Sequence, residues 1–132
     1  MINKSVGVGF GAVYVLVGLL GFTVTGTSGL ASTDGGLLLG IFEVNPLHNI
    51  VHLLVGALLI AGGLAVPKIA KMVNTLVGGV YLLVGVIGLF LLGSTANILS
   101  LNPADNVLHL ASAALLVAVG VAADRSLAPM AS

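Results

Sequence analysis

Four long apolar runs set the plan of the chain, at residues 6–25, 46–66, 72–93 and 103–123, with polar residues gathered between them. Each is close to the roughly 20 residues that a helix needs to traverse a hydrocarbon core of about 30 Å. The second and fourth open on Asn45-Pro46 and Asn102-Pro103. Asn is a preferred N-cap and Pro fits the first helical turn, whose amide donors have no helical partner, so both pairs predict helix starts. Pro67 is expected to close the second span. The pattern predicts an all-α integral membrane four-helix bundle, a single transmembrane domain over 1–132.

Composition sharpens this picture. The chain is 58% hydrophobic and only 6% charged, with four Lys plus Arg against four Asp plus Glu. A soluble domain carries roughly 25% charged residues, so the expected solvent is the lipid bilayer. Cysteine is absent, which excludes disulfides, thiolate metal sites and cysteine nucleophiles. Zero net charge without a basic cluster gives no footing for nucleic acid. Nineteen glycines, by contrast, suit a bilayer, where small residues let helices approach closely.

The few charges fix an orientation. Lys4 precedes the first span, Lys68 and Lys71 lie between the second and third, and Arg125 follows the fourth; Asp34, Glu43 and Asp105 fall on the other side, and Asp124, beside Arg125, is the one acid on the basic side. Under the positive-inside rule both termini and the middle connection are cytoplasmic in a bacterial inner membrane. Lys4, the apolar run after it and Gly29-Leu30-Ala31 imitate a cleaved signal peptide. The run is long for a signal, and it has a partner later in the chain.

That partner is the third span. Residues 11–21 align without a gap on 78–88, with Gly11, Val13, Tyr14, Leu16, Val17, Gly18 and Gly21 identical at an offset of 67. The second and fourth spans align at an offset of 57, which pairs Asn45-Pro46, Asn49 and His52-Leu53 with Asn102-Pro103, Asn106 and His109-Leu110. The chain therefore reads as a tandem parallel repeat of a two-helix hairpin, at 5–66 and 72–123. The first copy carries the longer outer loop, 26–45. Leu37 to Phe42 in that loop is apolar enough to lie on the membrane or tuck into the bundle mouth.

Gly7, Gly11, Tyr14, Gly18 and Gly21 share one face of the first span, and Asn74, Gly78, Tyr81, Gly85 and Gly88 repeat the stripe on the third. These read as helix-packing seams. Tyrosines on helices lean toward the N-terminus, so a backbone carbonyl, rather than a histidine nearer the outer surface, is the expected partner of Tyr14 and Tyr81.

The chemistry concentrates at the tops of the second and fourth spans. His48, Asn49 and His52 share one face, as do Asp105, Asn106 and His109 with Ser112. His52 lies six residues past Pro46, roughly 9 Å into the helix at about 1.5 Å per residue. The first expectation is a hydrogen-bonded polar plug with His48 paired to Asp105, in a non-enzymatic structural or accessory protein without a cofactor. The second is a haem or divalent metal site using His52 and His109 with His48. The third is a small proton or solute conduit. No nucleophile elbow, phosphate loop or His-Glu-x-x-His motif is present, which argues against an enzyme. Expected partners are the bilayer itself and a homo-oligomer or larger membrane complex.

The segments Asn45-Pro-Leu-His-Asn-Ile-Val-His-Leu53 and Asn102-Pro-Ala-Asp-Asn-Val-Leu-His-Leu110 resemble a family of small actinobacterial and cyanobacterial membrane proteins of unknown function. The resemblance covers nearly the whole chain and implies a four-helix membrane protein, with no activity attached. Asp105 stands in the second copy where His48 stands in the first.

Overall fold

The computed structural model describes residues 1–125, in the order α1 (Ile2–Thr25), β1 (Gly36–Leu38), β2 (Phe42–Val44), α2 (Pro46–Leu64), α3 (Pro67–Leu91) and α4 (Pro103–Ala122). All four helices are long and apolar enough to cross a membrane. The tail of the expected domain, 126–132, lies outside the described residues. Three boundaries differ from the sequence reading. Helix α1 begins at Ile2, so Lys4 sits within its first turns. Pro67 opens α3 as its first residue, and only Ala65 and Val66 separate α2 from α3. Proline suits that position because its missing N–H is one that no helical carbonyl would reach. Lys68 and Lys71 therefore belong to α3. The loop after α1 contains a two-stranded antiparallel hairpin, β1 paired with β2, that the apolar pattern did not predict.

The pattern of exposure is inverted relative to a soluble protein. Phe90 is 82% exposed, Leu54 66% and Leu83 62%, while Asn3, Asn49 and Asn106 are fully buried. Apolar side chains face outward because the surrounding solvent is hydrocarbon, and the polar ones turn to the bundle interior. The central packing cluster joins Tyr14, Leu59, Val73, Val77, Tyr81, Ala113 and Leu116.

Packing is most extensive between α1 and α2 and between α3 and α4. Glycine makes both seams close. Gly7 backs onto Gly63 and the Leu59 carbonyl, Gly11 onto Gly56 and Ile60, and Gly18 onto Leu53 and the Asn49 carbonyl. In the second pair Gly78 meets Val117, Gly85 meets Leu110, and Gly120 meets Thr75. Gly21 and Gly88 lie against the side-chain oxygens of Asn49 and Asn106, with no room for a methyl group.

Polar clasps close the two ends. At one end the Asp124 carboxylate accepts the main-chain N–H of Ile2 at 3.0 Å and of Asn3 at 2.8 Å. The Asn3 amide donates to the Val119 carbonyl at 3.2 Å, and the Asn74 amide donates to the Asn3 carbonyl at 2.9 Å. One buried asparagine thus ties α1, α3 and α4 together where the two ends of the described chain meet. At the opposite end the Asn45 amide donates to the carbonyls of Ser32 at 2.8 Å and Ile98 at 2.7 Å, and the Asn102 amide to Ile41 at 2.8 Å. Ser100 donates to the Ser32 carbonyl. These bonds draw the hairpin loop and the α3–α4 connection into one cover, with Leu38 and Val44 buried beneath it.

Candidate metal centre

The caps of α2 and α4 set the angular position of the histidines beneath that cover. Asn45 caps α2 by accepting the His48 N–H at 2.8 Å. Asn102 accepts the Asp105 N–H at 2.9 Å while Asp105 accepts the Asn102 N–H at 2.9 Å, a reciprocal capping box. With the starts fixed, His48 and His52 lie one turn apart on the inward face of α2, and His109 faces them from α4. The ring centres are 4.4 Å apart for His48–His52, 5.6 Å for His48–His109 and 6.0 Å for His52–His109. One nitrogen from each ring lies within 4.8 Å of the others.

All three rings are buried, at 1–3% exposure. Neither nitrogen of His48 or His52 has a hydrogen-bond partner, nor does Nδ1 of His109. The main chain of Glu43 and Leu99 lies beside His48, outside hydrogen-bond geometry. His48, His52, His109, Tyr81 and Leu99 bound a chamber of about 40 Å³. Asn49 and Asn106, the other members of the predicted cluster, are buried too, and their amides pack on glycines without hydrogen bonds.

Two expectations are corrected by this geometry. His48 forms no ion pair with Asp105, because the Asp105 carboxylate is engaged by its own helix cap. The tyrosine rings pack against the histidine rings, while their hydroxyls bond neither the expected backbone carbonyl nor a histidine. Tyr14 stacks on Tyr81 at 5.2 Å, Tyr14 lies 5.4 Å from His52, and Tyr81 lies 5.0 Å from His109. Gly11 sits level with Gly56 and Gly18 with Leu53, so Tyr14 falls within about one turn of His52, and its side chain spans the remainder. The tyrosine hydroxyls have no hydrogen-bond partner. The result is one five-ring cluster joining the histidines and tyrosines of both hairpins.

Residues 4–122 match the model of a family described as Domain of unknown function (DUF4383). The chain belongs to that family. No curated protein and no solved structure matches it. Within this DUF4383 protein the three imidazoles approach the spacing of a metal site. Tetrahedral zinc with Zn–N of about 2.0–2.1 Å separates its nitrogens by about 3.4 Å, so rotation of the rings closes the present gap. That rotation breaks no hydrogen bond, because none is made. The α3–α4 connection escaped the sequence reading: Leu99 lies in an unremarkable Ile-Leu-Ser-Leu run, and only the fold carries it over His48. Asn3 and Asp124 were missed for the same reason, since their contact spans 121 residues.

Proposed function

We propose that this multi-pass membrane protein is a non-enzymatic, ion-holding accessory protein, with one zinc or copper ion bound by His48, His52 and His109. The observation that carries this reading is the set of three buried imidazoles, without hydrogen-bond partners for most of their nitrogens, that bring one nitrogen each within 4.8 Å of the others. Buried polar atoms without partners call for a water or an ion, and neutral imidazole favours zinc, copper, iron and nickel over magnesium and calcium. Tyr81 borders the same chamber and carries an unpartnered hydroxyl. A hydrogen-bonded plug is supported less well, because the bonds that define it are absent among these rings. The chamber suits an ion in preference to a porphyrin, whose ring alone needs several times that volume.

The gathering of Lys4, Lys68, Lys71 and Arg125 toward the end where the two ends of the described chain meet supports cytoplasmic termini in a bacterial inner membrane. The matching glycine contacts of Gly18 with Leu53 and Gly85 with Leu110, at the two offsets of the alignment, support a tandem duplication. The ion then lies toward the outer face, beneath the loop cover.

Titration of metal-stripped protein in detergent with Co²⁺, followed by its visible absorption, tests the reading. Saturation at one ion per chain, with an intense tetrahedral spectrum displaced by Zn²⁺, is expected. Absence of that spectrum in folded protein contradicts it.

A further inference from the structure

The hairpin that covers the histidines has a tip of unusual make-up. The Ile41 N–H donates to the Leu38 carbonyl at 3.1 Å, closing a turn whose two central residues, Leu39 and Gly40, have φ of 54° and 69°. Two positive φ values in succession mark a hairpin turn whose first central place ordinarily goes to Asn, Asp or Gly. Leucine is strained there, because its Cβ crowds the neighbouring carbonyl. Leu39 is also 76% exposed, so burial within the chain does not offset that strain. Ile41 beside it is exposed as well, and no residue from 35 to 42 is charged. Leu38, by contrast, is buried against the bundle. The strand's alternation therefore tucks one leucine in and leaves the tip bare.

Three attachments set the level of this tip. The side-chain amide of Asn102, the N-cap of α4, donates to the Ile41 carbonyl at 2.8 Å. Gly36 lies so close to the Val24 carbonyl, in the last turn of α1, that a methyl group would not fit. At its other end β2 runs through Asn45 straight into α2. Helices α2 and α4 have 19 and 20 residues, close to the roughly 20 that cross the hydrocarbon core. Their first residues therefore lie at its edge, and the hairpin is tied down at that edge. It packs on α1 and α4. Phe22, near the end of α1, and Val107, near the start of α4, carry the exposed apolar surface of those helices up to the same level.

We propose that the β1–β2 tip inserts Leu39 and Ile41 into the adjoining bilayer surface and moors the loop cover to lipid. In water, Asn at position 39 would be both less strained and better solvated. A leucine there is favoured only where its surroundings are apolar. The tip continues the lipid-facing surface of α1 and α4, which selects lipid over a soluble partner as what surrounds it. The nearest acids do not oppose insertion: Glu43 turns toward the base of the hairpin, where its carboxylate accepts the Gly35 N–H at 2.9 Å. An apolar segment held at the level of the headgroup and acyl boundary gains by burying its side chains there. The inference stands apart from the ion reading and shares no residue with it.

The chain contains no tryptophan, so a single introduced one reports its own surroundings. Full-length Leu39→Trp and Ile41→Trp are compared in phospholipid vesicles with Thr95→Trp, at an exposed site in the α3–α4 connection. The tip tryptophans are expected to emit to the blue of the reference, to be quenched by lipids brominated on the acyl chain, and to resist aqueous acrylamide. Ile41→Trp serves if Leu39→Trp does not fold, since its backbone is not left-handed. Tryptophan itself favours membrane interfaces, so a second measurement leaves it out. Hydrogen exchange of residues 38–42 in vesicles is expected to be faster in Leu39→Asn than in the wild type, through loss of the mooring. Slower exchange, as relief of strain in water would give, overturns the proposal. Tip tryptophans as open to acrylamide as Thr95→Trp overturn it too, and so does shielding seen only in native membranes, where a partner protein would be the cover.

Discussion

A histidine inside a bilayer-spanning bundle must be matched by a partner, because hydrocarbon offers its nitrogens none. Here three histidines share that need and face one another across a single chamber. Replacing His52 or His109 by Ala is therefore expected to lower Co²⁺ affinity by at least about a hundredfold, since each removes one of three ligands. Asn74→Ala, at the far clasp, should leave it unchanged; equal loss in all three variants in the same titration would mean that global unfolding, and not ligation, is being read. The glycines make a different prediction at this scale. A methyl at Gly21 collides with the buried Asn49 amide, whereas one at Gly9 enters open space. Gly21→Ala is expected to destabilise the bundle by about 1–3 kcal/mol, as overpacking does, and Asn49→Ala should relieve much of that. Gly9→Ala should be nearly neutral. Thermal unfolding in detergent compares the three.

At the scale of elements, the stability of the bundle rests on helix seams plus a polar clasp at each end. Asn3 is buried and joins three helices, so Asn3→Ala should cost about 1–3 kcal/mol by orphaning its partners. Asp124 works from outside the spans. The Asn3 main-chain N–H first of all, together with the Ile2 N–H and the Asn3 amide, outweighs desolvation and holds its carboxyl below the usual carboxylate range. A depressed folded pKa means that the clasp contributes fully above the ordinary aspartate value of about 3.9. Its contribution is lost as pH falls through the lower, folded value. The wild-type melting temperature is thus expected to drop toward that of Asp124→Asn on acidification below about pH 4; parallel curves for the two proteins would rule the clasp out. The four spans and the Asn-Pro starts of α2 and α4 were legible in the sequence because long apolar runs and caps are local signals. The alternation of Pro67 between closing α2 and opening α3 was not, since both roles obey the same absence of an N–H. The β1–β2 hairpin was missed because three-residue strands are too short for a period to register. The Asn3–Asp124 clasp joins residues from opposite ends of the chain, which no local pattern can announce.

For the molecule as a whole, the helices, the caps and the loop cover bring three buried histidines together near one end of the bundle. The repeat makes His109 legible in the sequence as the counterpart of His52, but the convergence of His48 on both depends on how the hairpins pack. The absence of native cysteine makes orientation directly testable. A single cysteine at exposed Thr95, in the α3–α4 connection, is expected to react in intact cells with a membrane-impermeant thiol reagent. One at exposed Lys68 should react only after the membrane is opened; the reverse pattern would invert the orientation and put the chamber near the cytoplasm.

The central claim, that the three histidines hold an ion, is tested most directly by elemental analysis of protein purified from membranes without chelator. The account predicts close to one zinc or copper per chain, lost in a His52→Ala/His109→Ala variant that still folds. Well-folded wild-type protein free of metal, or metal retained by that variant, would contradict it.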